Sequence, residues 1–369
     1  MLQKKRKYIS SGSLSLQAWR KFTKNKLGFG SLLFMGIVTL VAIWGYLIVP
    51  DQTPFANKQL LELSLKKPGF SVYILNVKKE TENSSSNFFT TMLFGKKSDY
   101  QSYPISRFRV THDSIFYLEY KDQLFTTDQE KGLLLSQVER PEKITFWLGT
   151  DRFGRDYLSQ LMIGTRVSLA VGFISIFISL VIGILIGALG GYYRGWVDNL
   201  VMWVINVVWS IPTLLLVIAI TFALGKGFWQ VFVAVGLTMW VEVARVVRGQ
   251  ILSIREKEYV EAARALGFSD FRIIFQHILP NVMAAVIVIS AANFASAILI
   301  EAGLSFLGIG VQPPVPSWGS MIKENYGYIV LDYAYLAILP GLAIMFMVLA
   351  FMLIGNALRD ALDVRMSEF

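Results

Sequence analysis

The stretch Tyr259-Val260-Glu261-Ala262-Ala263-Arg264-Ala265-Leu266-Gly267, followed at 278–281 by Ile278-Leu279-Pro280-Asn281, is a polar, helix-forming segment set between two strongly apolar spans. Good helix formers fill nearly every position from Glu258 to Leu266. Gly267 ends that helix, because glycine accepts the left-handed conformation at a helix terminus. Ser269-Asp270 restarts one: serine caps the free amides, and aspartate suits the positive end of the helix dipole. Pro280 stands where the next span should begin, a position proline tolerates. The pattern predicts helix, bend, helix and then re-entry into a membrane. A short charged helix in this setting must lie in water, where Ala262 and Ala263 leave a low surface for a soluble partner to grip. On these residues alone, an ordinary amphipathic loop is the rival account.

Composition agrees with the bilayer. The chain of 369 residues is 54% hydrophobic and 17% charged, with mean hydropathy +0.50, whereas soluble domains carry about 25% charged residues. Uncharged runs predict six spans, at 27–49, 167–193, 199–225, about 227–244, about 279–300 and about 333–358. The third contains Trp209-Ser210-Ile211-Pro212, which predicts a kink. The second is rich in glycine, which lets helices approach closely in lipid. Lys4, Lys5, Arg6, Lys7, Arg20, Lys21, Lys24 and Lys26 precede the first span with no acid among them, giving +8 of the net charge of +9. That cluster fits the inner face of a membrane better than a nucleic-acid surface. It places both termini and segment 245–278 in the cytoplasm, and the first span reads as a retained anchor.

The predicted organisation is a basic cytoplasmic N-terminus at 1–26, the first transmembrane helix at 27–49, an external insertion at 50–147, a five-helix core at 148–363 and a tail at 364–369. The insertion reads as a small α/β or mostly β subdomain, with short strands at 106–110 and 114–120 and a turn or flexible link at 83–87. Gly149-Thr150-Asp151 and Gly154-Arg155-Asp156 read as a capped turn leading into an amphipathic interfacial helix carrying Tyr157, Leu158, Leu161 and Met162. Pro313-Pro314 and Trp318-Gly319 read as a rigid outer loop with an aromatic at the membrane interface.

Cysteine is absent and His112 and His277 lie far apart, so neither a disulfide nor a metal site is indicated. No phosphate loop, nucleophile elbow or zinc-binding His-Glu-x-x-His is present, and Gly225-Lys226-Gly227 is no phosphate loop. Glu242, placed near the inner end of the fourth span, and Glu301, placed near the outer end of the fifth, are costly if they face lipid. They line a path or a subunit interface, or they snorkel in the headgroup zone; the second account is favoured.

Glu261-Ala262-Ala263, Gly267 four positions on, and Leu279-Pro280 after eleven more residues resemble the signature loop of binding-protein-dependent ABC transporter permeases. Further elements resemble the C-type subunit of the dipeptide/oligopeptide/nickel permeases: 148–156 (Leu148-Gly149-Thr150-Asp151 to Asp156), 301–308 (Glu301-Ala302-Gly303-Leu304 to Gly308), Pro313-Pro314, Trp318-Gly319 and Leu358-Arg359-Asp360-Ala361-Leu362-Asp363. The resemblance implies an all-α integral membrane protein with six transmembrane helices in the type I ABC importer (MetI-like) permease fold, the external subdomain lying between helices 1 and 2. It implies half of a peptide pathway in a bacterial plasma membrane, with nickel or another small solute as alternative cargo. It implies as partners a homologous B-type permease, two cytoplasmic ATP-binding subunits and an external solute-binding protein. The chain itself would then need no cofactor, with ATP bound and hydrolysed by those partners. By the same resemblance Glu261, Ala262, Ala263, Leu266, Gly267 and Pro280 form the ATPase-coupling element. Three departures stand out: His277 where the family often has isoleucine, Asn206 in the third span where an acid is expected, and a longer insertion. Asn206 joins Glu242 and Glu301 as a candidate pathway or interface residue. Two other classes compete: a self-contained ion-coupled carrier, which needs charges and broken helices near the midplane, and a membrane enzyme whose insertion is catalytic, hinted at only by His112-Asp113.

Overall fold

The structure is a computed structural model that describes residues 14–79, 87–121, 130–225 and 227–362. The Lys4 to Lys7 cluster, most of the link at 83–87, Lys226, Asp363 and the 364–369 tail lie outside the described residues.

Helix α1 (Leu14–Lys24) leads into α2 (Lys26–Ile48), the first span, whose N-terminus is capped by the Asn25 side chain accepting from Gly28 N–H. Helix α4 (Tyr157–Tyr193) is a single rod of 37 residues. The expected interfacial helix and second span are one element: no proline interrupts the ladder between Tyr157 and Val167, and Gly164 continues it as a buried residue packed by Trp318. The third span is instead two helices, α5 (Gly195–Trp209) and α6 (Thr213–Leu224), meeting at 90° across Ser210-Ile211-Pro212. Pro212 withholds an amide and restricts the residue before it, so the ladder cannot continue there. The expected kink is therefore a full break. The start of α5 lies beside the end of α4, and Val217 of α6 packs with Val167 and Val171 near its beginning. The broken pair thus passes from one end of the bundle to the other and counts as one crossing, which brings the total to six.

Helix α7 (Phe228–Ile254) runs ten residues beyond the expected end of the fourth span, and α8 (Glu258–Ala265) follows it. The fifth span is a continuous α9 (Asp270–Leu307) containing a π-turn at Ile273–Ile278. The sixth is α11 (Tyr335–Leu362), preceded by the short α10 (Trp318–Asn325). The axis of the bundle is the α4–α7 pair. A Cβ at Gly183, Gly187 or Gly191 would lie 2.8, 2.5 or 2.9 Å from a carbonyl oxygen of α7, so only glycine at this four-residue spacing allows the approach. Around this seam, α9, α11 and α2 close the apolar core through Phe294, Ile298, Leu336, Met347 and Met35.

Between α2 and α4 the chain forms a five-stranded antiparallel sheet of order β4-β3-β2-β1-β5, from β1 (Phe70–Lys78), β2 (Tyr100–Val110), β3 (Ser114–Glu119), β4 (Lys131–Leu134) and β5 (Glu142–Phe146). The two expected strands are β2 and β3, paired with Val110 opposite Ile115. One face buries Val72, Ile74 and Phe146 over Leu60 and Leu63; the other buries Leu75, Ile105, Ile115 and Tyr117. A seven-residue helix, α3 (Phe88–Phe94), projects from the β1–β2 connection.

The insertion is joined to the core by buried polar groups: Lys66 N–H donates to Thr150 Oγ1 at 2.8 Å and Gln160 donates to Phe55 O at 2.9 Å, beside an ion triad at the start of α4. Arg155 bridges Asp151 at 2.6 Å and Glu324 of α10 at 2.8 Å, and all three side chains are largely out of solvent. Asp151 also accepts from the amides of Phe153 and Arg155, and Asp156 caps α4 by accepting from Ser159 N–H at 2.9 Å. Burial pushes the Asp156 carboxyl above its usual range, with the Ser159 hydrogen bonds pulling the other way. The expected capped turn is present, with an ion triad that the sequence reading lacked. Trp318 is buried within the bundle, and its indole donates to Leu161 O at 2.9 Å.

Candidate functional site

At the end of the bundle away from the sheet, α7, α8 and the start of α9 fold over the end of α4. Helix α8 closes with paired hydrogen bonds from Gly267 N–H to Arg264 O at 3.0 Å and from Phe268 N–H to Ala263 O at 3.2 Å, the Schellman arrangement. Gly267 has φ +78°, as that motif requires, and no atom lies near where its Cβ would be. Its role is therefore conformational: a side chain would meet backbone strain, not a clash. Val260 and Ala263 point inward onto Ile251, Ile254, Ile273, Ile278 and Val282. Glu261, Ala262 and Leu266 point outward. Ala263, at 4% exposure, is thus no part of an open surface, contrary to the expectation of two accessible alanines. The helix period separates the pair: adjacent residues lie about 100° apart around the axis.

Pro280 does not begin a new helix. It sits within α9, where Leu279 N–H reaches back five residues to Ile274 O. The wider π-turn accommodates a residue that cannot donate, so the polar stretch after Ser269 and the fifth span form one rod. His277 lies half-buried in that turn, stacked on Phe268 with ring centres 5.8 Å apart. Tyr192, at the end of α4, gathers the cluster: its hydroxyl donates to Asp270 at 2.6 Å, its carbonyl accepts from Arg255, and the Arg264 guanidinium lies 5.7 Å from its ring centre. Arg194 pairs with Glu256 at 2.5 Å. Glu261 has neither an ion pair nor a side-chain hydrogen bond among the described residues. Leu266 and Phe271 are 73% and 71% exposed, with Tyr259, Ala262 and Phe275 also open to solvent.

The other three expected residues do not meet. Because α7 continues to Ile254, Glu242 lies near the middle of the helix, about 21 Å from its start and about 18 Å from its end. It is therefore not near an end of the helix, although the polar residues that follow Ala244 begin within one turn of it. Glu242 instead lines a cavity of about 240 Å³ with Trp209, Ile211, Thr213, Thr238 and Ser296, at the break between α5 and α6. Arg245 covers the Trp209 ring at 3.5 Å. Asn206 is exposed one turn before the break and does not line that cavity. Glu301 is 0% exposed, accepts from Ser305 Oγ at 2.6 Å and leaves its second oxygen unpartnered, so it does not snorkel. No group of three metal-ligating side chains is present among the described residues.

Residues 179–368 match the family model described as binding-protein-dependent transport system inner membrane component, which is just over half of the chain. The chain belongs to that family. Residues 13–68 match the N-terminal TM domain of oligopeptide transport permease C. A glutathione transport system permease protein of Pectobacterium atrosepticum is 39% identical over 253 residues, covering 69% of this chain and 83% of that one. A dipeptide transport system permease protein of Alkalihalophilus pseudofirmus is 40% identical over 222 residues, covering 60% and 73%. Among solved structures, a chain of the MetNI methionine ABC transporter in inward-facing conformations aligns with TM-score 0.47 and 22% identity, covering 55% of this chain and 96% of that one.

This membrane permease is thus the subunit of an ABC importer, an inner-membrane multi-pass protein whose relatives are transporter subunits and not enzymes. The family implies ATPase and solute-binding partners. Sequence reasoning missed the Tyr192 hub, Arg155–Glu324 and the Trp209 cavity. A signal existed for the last: a proline break beside a lone intramembrane acid is how broken-helix sites announce themselves. The other two depend on pairing across distant elements, which one sequence does not display.

Proposed function

We propose that this permease forms half of the pathway for short peptides, paired with a homologous B-type permease, with two ATP-binding subunits docking on α8 and a solute-binding protein on the side of the sheet. Both termini and α8 face the cytoplasm; the insertion faces outward. Partner subunits bind and hydrolyse ATP, and this chain needs no cofactor. The observation that carries the reading is the outward face of α8. Glu261, Ala262 and Leu266, flanked by Phe271, put apolar area on a short polar helix at the end opposite the sheet, held there by Gly267 and by the buried Val260 and Ala263. A groove in a soluble partner covers such a face; a solvated loop has no use for it. Peptide cargo is supported by the dipeptide and glutathione permeases among the relatives. Glu242 and the cavity at the α5–α6 break are proposed to line the pathway, with Asn206 at its margin and Glu301 as a buried strut at the seam of α9 and α10.

Purified four-part complexes in proteoliposomes test this. ATP-dependent uptake of a labelled dipeptide, absent when either ATPases or binding protein are left out, is expected. Uptake driven by an ion gradient with this chain alone would overturn the proposal, and uptake of nickel but not dipeptide would replace its cargo.

A further inference from the structure

Phe88-Phe89-Thr90-Thr91-Met92-Leu93-Phe94 contains no charge, yet it folds as α3 on the outside of the insertion. Phe88, Phe89, Leu93 and Phe94 are 63%, 71%, 48% and 67% exposed. Helices this short do not persist in water on their own, so something must hold α3. Part of the answer is within the chain. Helix α3 packs against α2, Arg166 donates to Leu93 O at 3.0 Å, and Lys96 N–H donates to Gln52 O at 2.8 Å. These bonds set α3 beside the last turn of α2, at the level of Tyr46, whose ring lies 5.0 Å from the Arg166 guanidinium.

That level identifies the missing neighbour. The last turns of α2 carry Ile43, Trp44 and Ile48 outward, each about half exposed, as part of the apolar flank of the first span. Tryptophan and tyrosine at the end of such a flank mark the headgroup boundary. The apolar side chains of α3 continue this flank sideways, and exposed Lys96 and Lys97 follow directly on it, placed for anionic headgroups. We propose that α3 lies in the plane of the membrane interface, its phenylalanines and Leu93 among the upper acyl chains, and ties the β-sheet insertion to the bilayer surface. The partner is lipid. A docking site for a protein that binds and leaves would expose these side chains to water between visits, beside a lipid-facing helix that already offers cover.

The chain lacks cysteine, so the test is direct. Phe89→Cys, Phe94→Cys and, as a control far along β2–β3, Thr111→Cys are each labelled with an environment-sensitive fluorophore. They are assembled with the partner subunits in nanodiscs of phosphatidylglycerol and phosphatidylethanolamine. Lipids bearing a shallow nitroxide should quench both α3 labels severalfold more than the Thr111 label, with no change when binding protein is added. Quenching no greater than at Thr111 would overturn the proposal. Shielding that arises only with binding protein would also overturn it, giving the surface to that protein; two independent α3 positions guard against a fault of either variant.

Discussion

The two ends of α4 are held in opposite ways. At the sheet end, Arg155 satisfies Asp151 and Glu324 in a nearly dry setting, Asp156 caps the helix and Gln160 donates to the insertion's backbone at 2.9 Å. At the α8 end the pairs are more open: Arg194–Glu256 lies at 44% and 58% side-chain exposure and Arg248–Asp198 at 22% and 17%, against 9% and 3% for Arg155–Asp151. Buried charges that lose a partner are severely destabilising, whereas exposed pairs contribute little. The contrast implies a molecule anchored firmly at one end and left adjustable at the other, where the nucleotide-driven subunits are proposed to act.

Breaking the anchor should have the largest effect. Arg155→Met leaves two buried carboxylates unpaired, and a loss of about 3–5 kcal/mol is expected, read as a lowered unfolding temperature of the purified complex. A loss as small as that of an exposed pair would remove the asymmetry. Gly267→Val comes next. A β-branched residue at φ +78° costs roughly 1–2 kcal/mol locally, enough to distort the bend without unfolding the bundle. ATP hydrolysis should persist while uptake per ATP falls severalfold; unchanged coupling would contradict the role given to the bend. Cysteine scanning sharpens the same end: Ala262→Cys should crosslink to an ATPase subunit and Ala263→Cys should not, because the latter is buried. Equal crosslinking of both would mean that α8 rotates or lifts on assembly. The smallest effect belongs to Arg194→Ala, expected to change stability by less than about 1 kcal/mol because solvent screens the pair, with ATPase stimulation by binding protein the more sensitive readout.

Much of this was legible in the sequence. The long uncharged runs gave the crossings, since a bilayer demands about 20 apolar residues whatever the fold. Gly267 announced the bend because few other residues take its backbone angle, and alternating β-branched and aromatic residues announced β2 and β3. What stayed hidden was the extent of elements. Glu242 looked terminal because the polar residues after Ala244 resembled a loop; in fact they are the solvated end of α7, where water replaces lipid without ending the helix. Family membership settles the class against an ion-coupled carrier. Ala263 and Glu301 were misjudged for a related reason: residue type does not reveal which side of a helix packs.

Helix α4 joins the two ends without a kink across 37 residues, about 55 Å. Geometry then fixes a gearing ratio. With the sheet end clamped, a tilt of about 5° sweeps the other end through about 5 Å, roughly one helical turn of rise. Displacements of atomic size at the α8 end therefore need only a few degrees of rotation at the clamped joint, small enough for the Arg155 triad to remain intact through every transport cycle.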